Sequence, residues 1–375
     1  MKSKKKVLVA LSGGVDSAVA AYLLKRQGFD VTGAFLKMWS DTKNAITGEC
    51  SWRDDYHEAL KVSEILGIPL ITLDFEVEYK KLVVDEMFKL YKLGVTPNPD
   101  VDCNRKIKFP LLLRAAKNLG CDFISTGHYS RIKKVGKKYY LLRGFENLKD
   151  QSYFLYHLNQ EVLSCTIFPI GDYKKFEVRK IAKKLKLPNW NRKSTVGICF
   201  IGKVNLKDFL KKKIKPKSGI ILDANNNILG EHDGIYYYTI GQRLGMRYGI
   251  DVNRNNLPSS THNKRWYIAG KNAKTNTLIV APEGHPSLLR NSMFLKEFHL
   301  ISEDIKVFKN KISKKALNVN ARIRKVGELL PAKLSFKDNK YLVILNKPVT
   351  GISEGQALVI YKKDSSIVIG GGVII

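Results

Sequence analysis

The stretch that most constrains the fold is an apolar run followed by a loop of small residues and an amphipathic run. Residues 7–11 read Val-Leu-Val-Ala-Leu, which predicts a central parallel strand covered on both faces. Residues 12–17 read Ser-Gly-Gly-Val-Asp-Ser, and residues 18–27 predict a helix that a glycine ends. Gly13 and Gly14 lack a Cβ, so peptide N–H groups there can approach a ligand closely. Strand, turn and helix N-terminus together predict an anion site that favours phosphate by roughly 0.3–1 kcal/mol.

This loop lacks the lysine of the Gly-x-x-x-x-Gly-Lys-Ser/Thr loop of kinases and GTPases. It resembles instead the pyrophosphate loop of ATP pyrophosphatases, which cleave ATP between the α and β phosphates and transfer AMP to an oxygen. The resemblance implies ATP binding by Ala10, Leu11, Ser12, Gly13, Gly14, Val15, Asp16 and Ser17. The alternative is a turn whose hydroxyl and carboxyl side chains only cap the following helix.

Alternating apolar and amphipathic runs predict a doubly wound α/β sheet, whose ligand lies beyond the carboxyl ends of its strands. Leu36, near the end of one predicted strand, lines either an adenine pocket or the core. Gly127 follows another predicted strand, and it is a further candidate ATP contact because a residue without a side chain lets the backbone approach the nucleotide. The elements predicted after the first helix are strands at 30–38, 68–73 and 121–126 and helices at 54–67 and 107–119.

The segment Thr96–Arg105 interrupts this alternation. Two prolines, spaced by Asn98, predict a rigid loop that excludes a helix and presents its side chains from fixed positions. Cys103 lies near the end of the loop and is followed by Arg105 and Lys106. Their positive charges predict a thiol pKa lowered from ~8.5 toward neutrality.

Composition then changes along the chain. Lysines crowd the stretch after residue 203, and short strands with Asn and Gly turns indicate a small central module over 204–270. We expect the α/β catalytic domain to occupy 1–203 and a β-barrel to occupy 271–375. The runs predicted to form strands of the barrel are 277–280, 318–323, 341–345 and 357–361.

The formal charge of +31 favours a polyanionic partner, although lysine-rich codon usage would also produce it. No apolar run approaches the ~20 residues that span a bilayer, and no signal-peptide cleavage region follows the N-terminal lysines. These features predict a cytoplasmic protein without a membrane partner. The cysteines are odd in number and widely spaced, which argues against a disulfide framework or a zinc site: Cys50, Cys103, Cys121, Cys165 and Cys199.

Four motifs in order behind the first loop carry a more specific resemblance. They are Cys-Asn-Arg-Lys-Ile-Lys-Phe at 103–109, Thr-Gly-His-Tyr at 126–129, Lys-Asp-Gln-Ser-Tyr-Phe-Leu at 149–155 and Gly-Ile-Cys-Phe-Ile-Gly at 197–202. With them, nearly the whole chain resembles the tRNA-specific 2-thiouridylases (MnmA, also called TrmU). This family makes 2-thiouridine at the wobble position of certain tRNAs from ATP and a sulfur relayed as a persulfide.

The resemblance implies that AMP is transferred to the C2 oxygen of uridine, which solves the leaving-group problem, and that a sulfur nucleophile completes the exchange. Cys199 would carry the persulfide. Cys103 would be the second thiol, acting as acid/base or as the nucleophile that releases sulfide. Asp100 would meet the target base or orient Cys103, a solvated turn being the alternative. ATP and Mg²⁺ are the implied cofactors, and no ligand cluster in the sequence identifies the metal site.

The resemblance also implies an RNA surface. The residues expected at the target base are Asn98, Pro99 and Asp100, and those expected at other parts of the tRNA are Lys149, Asp150, Gln151, Arg322 and Ile323. The implied partners are tRNAs with a wobble uridine, those for lysine, glutamate and glutamine, and a persulfide donor. That donor is either a cysteine desulfurase or a sulfur-relay protein.

The chain departs from the family pattern around Cys199. Lys-Ser-Thr-Val-Gly at 193–197 replaces the usual Lys-Asp-Ser-Thr-Gly, and Lys203 stands where an acidic residue is common. Both changes make the surroundings of Cys199 more positive. Two rival functions stay open: a pyrophosphate-loop ligase that adenylates a small carboxylate or carbonyl and needs no cysteine, and an RNA-binding protein whose nucleotide site is inactive.

Overall fold

The structure is a computed structural model of the chain, and it describes residues 4–40, 51–192, 205–252, 257, 259–324 and 328–375. The described part forms an open parallel sheet with helices, then a four-stranded sheet and then a closed six-stranded barrel. This arrangement confirms the predicted fold class. Among the helices in these ranges, none combines the length and the apolar character needed to cross a bilayer.

The first sheet contains five parallel strands. They are β1 (Lys6–Ala10), β2 (Asp30–Lys37), β3 (Leu70–Asp74), β4 (Phe123–Ser125) and β7 (Thr166–Ile167), and the hairpin of β5 (Ser130–Val135) and β6 (Lys138–Arg143) lies between the last two in the chain. The spatial order is β3-β2-β1-β4-β7. Val7 and Val9 belong to one core cluster and Leu8 to another, so both faces of β1 are covered. The chain changes direction across the sheet at β1, which opens a crevice between the loops after β1 and β4.

The helices of this domain are α1 (Val15–Arg26), α2 (Ser51–Leu66), α3 (Glu76–Tyr79), α4 (Asp85–Lys92), α5 (Pro99–Asp102), α6 (Phe109–Asn118), α7 (Gln160–Ser164) and α8 (Lys175–Lys184), with π-helical turns at Lys80–Val84 and Cys103–Lys108. The rigid, non-helical loop predicted for Thr96–Arg105 is wrong, because its second half is helical. Pro99 takes the first helical position, where a missing N–H costs nothing. The Asn98 side chain accepts a hydrogen bond from Val101 N at 3.2 Å. Pro99 therefore starts a helix instead of preventing one.

The central module contains α9 (Leu206–Lys211) and a sheet of β8 (Gly219–Leu222), β9 (Ile228–His232), β10 (Trp266–Asn272) and β11 (Thr277–Pro282). Their spatial order is β10-β11-β8-β9. The run at 277–280, predicted to open the barrel, pairs instead with β8, where Leu278 lies opposite Ile221 and both side chains are fully buried. These apolar side chains complete the core of the small sheet, so the expected boundary after residue 270 falls inside β10.

The barrel consists of β12 (Leu289–Leu300), β13 (Leu317–Arg322), β14 (Leu330–Lys337), β15 (Lys340–Thr350), β16 (Ala357–Lys362) and β17 (Val368–Ile374). It closes in the order β12-β15-β14-β13-β16-β17, which leaves no open sheet edge. Helix α10 (Ile305–Lys314) packs Phe308 and Ile312 into the barrel core. The barrel also contacts the first domain, since Arg143 N donates to Ser366 O at 2.9 Å.

Candidate active site

The loop between β1 and α1 is folded by its own serines and glycines. Ser17 Oγ accepts a hydrogen bond from Ser12 N at 3.1 Å and donates one to Gly14 O at 3.0 Å. Gly13 has a φ of +70°, and a Cβ there would lie 2.4 Å from the carbonyl oxygen of Asp55, so only glycine fits. Gly14 is the N-cap of α1 and supplies no side-chain cap. The N–H groups of the first turn are therefore available to an anion.

The loop after β4 closes against this turn. A Cβ on Gly127 would lie 2.6 Å from Ser17 N and 2.7 Å from the carbonyl carbon of Asp16, so the two loops meet through bare backbone. Such a meeting is expected where the carboxyl ends of neighbouring parallel strands share one edge. Buried apolar side chains occupy four further positions predicted to contact ATP: Ala10, Leu11, Val15 and Leu36.

Asp16 is the charged centre of the loop. Its Oδ1 accepts hydrogen bonds from Tyr129 OH at 2.8 Å and from Lys175 Nζ at 2.6 Å. Burial and the Asp16 carboxylate raise the pKa of Tyr129, so its hydroxyl stays protonated and donates. Sequence analysis missed both partners. They are 113 and 159 residues from Asp16 along the chain, and no spacing rule relates such positions.

Gly13 is fixed from the opposite side of the loop. Its carbonyl oxygen accepts hydrogen bonds from Asn189 Nδ2 at 2.9 Å and from Arg192 NH1 at 3.2 Å. Arg192 NH2 also lies 2.6 Å from Asp55 Oδ1. Burial raises the pKa of the Asp55 carboxyl, and Arg192 opposes this effect. The two terminal nitrogens of Arg192 thus contact the loop backbone and α2.

The residues predicted to meet the target base form the start of α5. Asn98 caps the helix, and its Nδ2 lies 3.5 Å from Tyr153 OH. Asn104 Nδ2 donates to Asp100 O at 3.0 Å, which ties the following π-helical turn to α5. Cys103 begins that turn and is fully buried. A uridine base can therefore reach the Cys103 sulfur only after neighbouring side chains move.

The cations expected beside Cys103 are both paired. Arg105 NH1 lies 3.2 Å from Glu297 Oε2 of the barrel, and Lys106 Nζ lies 3.2 Å from Asp102 Oδ1. The local positive charge predicted from the sequence is therefore partly compensated. Cys199, the Ser-Thr-Val departure at 194–196, Lys203 and Cys50 lie outside the described residues.

The second set of residues predicted to contact tRNA lies at the junction of the first domain and the barrel. Asp150 and Arg322 are 1% and 3% exposed, and Asp150 Oδ2 lies 2.7 Å from Arg322 NH1. Gln151 Oε1 accepts from the main-chain N of Tyr129 at 2.8 Å. Ile323 is buried, and Lys149 is half-buried. The structure pairs Asp150 with Arg322 and leaves Lys149 the more accessible charge of this set.

Both C-terminal units hold the segment just before Asn98, a feature that sequence analysis missed. Lys271 Nζ of the central module donates to Gly94 O at 3.1 Å, and burial lowers the pKa of Lys271 to about 8. Thr96 N donates to Glu354 O of the barrel at 3.2 Å. A Cβ on Gly355 would lie 2.7 Å from Thr96 O. The segment that leads into α5 is thus positioned by both the central module and the barrel.

Comparison with known proteins agrees with this architecture. A family model described as tRNA methyl transferase HUP domain matches residues 5–203. Models described as tRNA methyl transferase PRC-barrel domain and Aminomethyltransferase beta-barrel domain match residues 207–282 and 292–374. The second match includes β11, in agreement with the four-stranded sheet.

Curated relatives match along the whole chain. The tRNA-specific 2-thiouridylase MnmA of Listeria monocytogenes serotype 4a is 42% identical over 98% of this chain and 94% of its own length. The chain belongs to the tRNA-specific 2-thiouridylase family. The 2-thiouridylase of Nitrosomonas europaea is 42% identical over 100% of this chain and 99% of its own, and that of Christiangramia forsetii is 38% identical over 99% and 100%. These matches confirm the resemblance to the 2-thiouridylase family.

Proposed function

We propose that this chain converts the wobble uridine of tRNA to 2-thiouridine, consuming ATP and releasing AMP and pyrophosphate. The observation that carries the proposal is the contact of the β1–α1 loop with Gly127 through bare backbone. It occurs in a chain that is 42% identical, over 98% of its length, to a tRNA-specific 2-thiouridylase. We place ATP at residues 10–17, with Leu36 and Gly127 as further contacts.

The residues present suit a polyphosphate. Gly127 leaves no side chain between the two loops, Gly13 leaves none between the first loop and α2, and α1 begins without a side-chain cap. Within the described ranges, no group of three His, Cys, Asp or Glu side chains is arranged to hold a metal. We therefore expect Mg²⁺ to enter with ATP, held mainly by phosphate oxygens and water, and to neutralise phosphate charge there.

The proposed chemistry has two stages. The C2 oxygen of uridine attacks the α-phosphorus of ATP, the α–β bridge breaks, and pyrophosphate leaves. Cys103 thiolate then attacks the Cys199 sulfur of the persulfide, forms a disulfide and releases hydrosulfide, which attacks C2 and expels AMP with the original oxygen. A thiol reductant must reduce the disulfide before the next turnover. If Cys103 acts instead as an acid/base, the outer persulfide sulfur attacks C2 and expels AMP, and the thiol reductant then cleaves the bond between that sulfur and Cys199, which leaves 2-thiouridine and the free Cys199 thiol.

The substrate contacts follow from the position of α5. We propose that Asn98, Pro99 and Asp100 meet an unpaired anticodon base, since sequence-specific RNA recognition uses bases that are splayed out of the helix. Lys149 and Gln151 are the more accessible members of the second set. We assign Asp150, Arg322 and Ile323 the task of holding the barrel at that surface, because all three are buried.

The proposed partners are tRNAs for lysine, glutamate and glutamine and, as sulfur source, a cysteine desulfurase or a sulfur-relay protein. Incubation of tRNA transcripts with each donor class, followed by digestion and mass spectrometry of nucleosides, separates these choices. Thiolation of tRNAs that lack a wobble uridine would contradict the assignment of the substrate.

The experiment that tests the function compares the unaltered chain with Cys199→Ser and, as a matched control, Cys121→Ser, which changes a half-buried cysteine away from the loop. Each protein receives tRNA, ATP, Mg²⁺ and a persulfide donor. We expect 2-thiouridine from the unaltered chain and from Cys121→Ser, and none from Cys199→Ser. Release of AMP and pyrophosphate that needs neither tRNA nor Cys199 would favour a small-molecule ligase. Absence of ATP cleavage would favour an RNA-binding protein.

A further inference from the structure

The described part of the chain brings a lysine to the loop from a distant helix. Lys175, the first residue of α8, has its Nζ 2.6 Å from Asp16 Oδ1 in the first turn of α1. The same Nζ lies 5.8 Å from the centre of the Tyr129 ring, in the segment after β4. Lys175 thus stands at the crevice between the loops after β1 and β4, where parallel sheets bind their ligands.

We propose that Lys175 contacts the β- and γ-phosphates of ATP and stabilises the departing pyrophosphate. This inference rests on the proposed use of ATP. The loop itself has no lysine, whereas the loops of kinases and GTPases carry one that reaches these phosphates. Lys175 would supply the missing charge from outside the loop.

Contacts at the start of α8 fix the position of Lys175. Its side chain is 11% exposed, and its main-chain N donates to Glu146 Oε2 at 2.5 Å. Glu177 accepts from Lys174 N at 2.7 Å and so holds the start of α8. The ammonium is therefore held beside the loop by a fixed helix end, and little reorganisation is needed when phosphate arrives.

The ammonium also has capacity for a phosphate oxygen. A lysine has three N–H donors, and within the described contacts one of them is directed at Asp16. Breaking the α–β bridge moves negative charge onto the β-phosphate, and a cation placed there in advance lowers the energy of that step. Asp16 acts through Lys175 in this scheme, as a positioning residue.

Among the described residues, Arg192 is another cation next to the loop, and its geometry differs. It donates to Gly13 O and to Asp55, both on the side where α2 packs, and it has no described contact with the segment after β4. We therefore assign the phosphate contact to Lys175 and the support of the loop backbone to Arg192.

Calorimetric titration of a non-cleavable ATP analogue and of adenosine separates a phosphate contact from a structural tie between α1 and α8. For Lys175→Met we expect affinity for the analogue to fall about tenfold to a hundredfold, as for loss of a charged hydrogen bond, and adenosine affinity to stay within about twofold. Lys174→Met, whose Nζ lies 5.9 Å from the Phe145 ring, is the matched control and should bind both ligands normally. Lys175→Arg keeps the charge and should retain most of the affinity.

Equal weakening of analogue and adenosine binding by Lys175→Met would overturn the proposal and show a structural role. Unchanged binding of both, or a selective loss in Arg192→Met instead, would also overturn it. The melting temperature of each variant shows whether it is folded, and Lys175→Arg tests the charge if the methionine variant unfolds. Failure of the unaltered chain to bind the analogue would refute the proposed function itself, a result distinct from failure of Lys175 alone.

Discussion

Replacing Arg322 with methionine should destabilise the junction between the first domain and the barrel. The change leaves Asp150 buried, with Arg143 Nε 3.3 Å away as its nearest remaining cation. Removal of one partner from a buried ion pair costs about 3–5 kcal/mol in the free energy of unfolding. We expect the lower end, roughly 3 kcal/mol, because Gly144 N, Ser152 N and Ser152 Oγ still donate to the carboxylate.

The assay is urea-induced unfolding, followed by circular dichroism, of Arg322→Met, Asp150→Asn and the double variant. These variants form a double-mutant cycle, and if Arg322 and Asp150 interact as a buried pair, we expect a coupling free energy above about 1 kcal/mol. Affinity for tRNA is measured in parallel as a function of salt. If Arg322 contacts phosphate instead, its variant keeps normal stability and the log–log salt slope falls in magnitude by about 0.7–0.9. That pair of results would refute the structural role.

Three further predictions follow from the loop, a half-buried histidine and the net charge. Gly127→Ala places a Cβ 2.6 Å from Ser17 N and should weaken ATP binding at least about tenfold by calorimetry, whereas Gly270→Ala, whose Cβ would meet Ile279 only at an ordinary contact distance of 3.7 Å, should not. Burial and Arg105 lower the pKa of His157 to about 3 from 6.5, so between these values the unfolded state binds more protons and stability falls with acidification. His157→Gln should flatten that limb of the stability profile, and an unchanged limb would contradict the assignment. Affinity for tRNA should fall with salt at a log–log slope of about −0.7 to −0.9 per neutralised phosphate, and a flat titration would show that the +31 charge does not serve RNA binding.

Local pattern was sufficient for the central features of the first domain. The run at 7–11 is apolar and too short for a buried helix, and it forms β1 with both faces covered. The position of Gly127 against the loop follows because carboxyl ends of parallel strands share an edge. The barrel was also predictable, because a series of apolar strands separated by turns removes its unpaired edge strands by closing into a barrel.

Pairings between distant residues were beyond the reach of local pattern. Lys175 and Tyr129 meet at Asp16 only because α8 and the segment after β4 fold back onto the start of α1. Arg322 was expected at the RNA surface from sequence alone, whereas the structure buries it against Asp150. The helix at Pro99 was missed because a proline stops a helix in its interior but favours its first position.

The central claim is that ATP activates the C2 oxygen of a tRNA uridine. The most direct measurement uses an anticodon stem-loop whose wobble uridine carries oxygen-18 at C2, incubated with the chain, ATP, Mg²⁺ and a persulfide donor. Our account predicts that the label appears in AMP, in an amount equal to the 2-thiouridine formed. Thiolation with unlabelled AMP would mean that the oxygen leaves by another route, and would contradict the account.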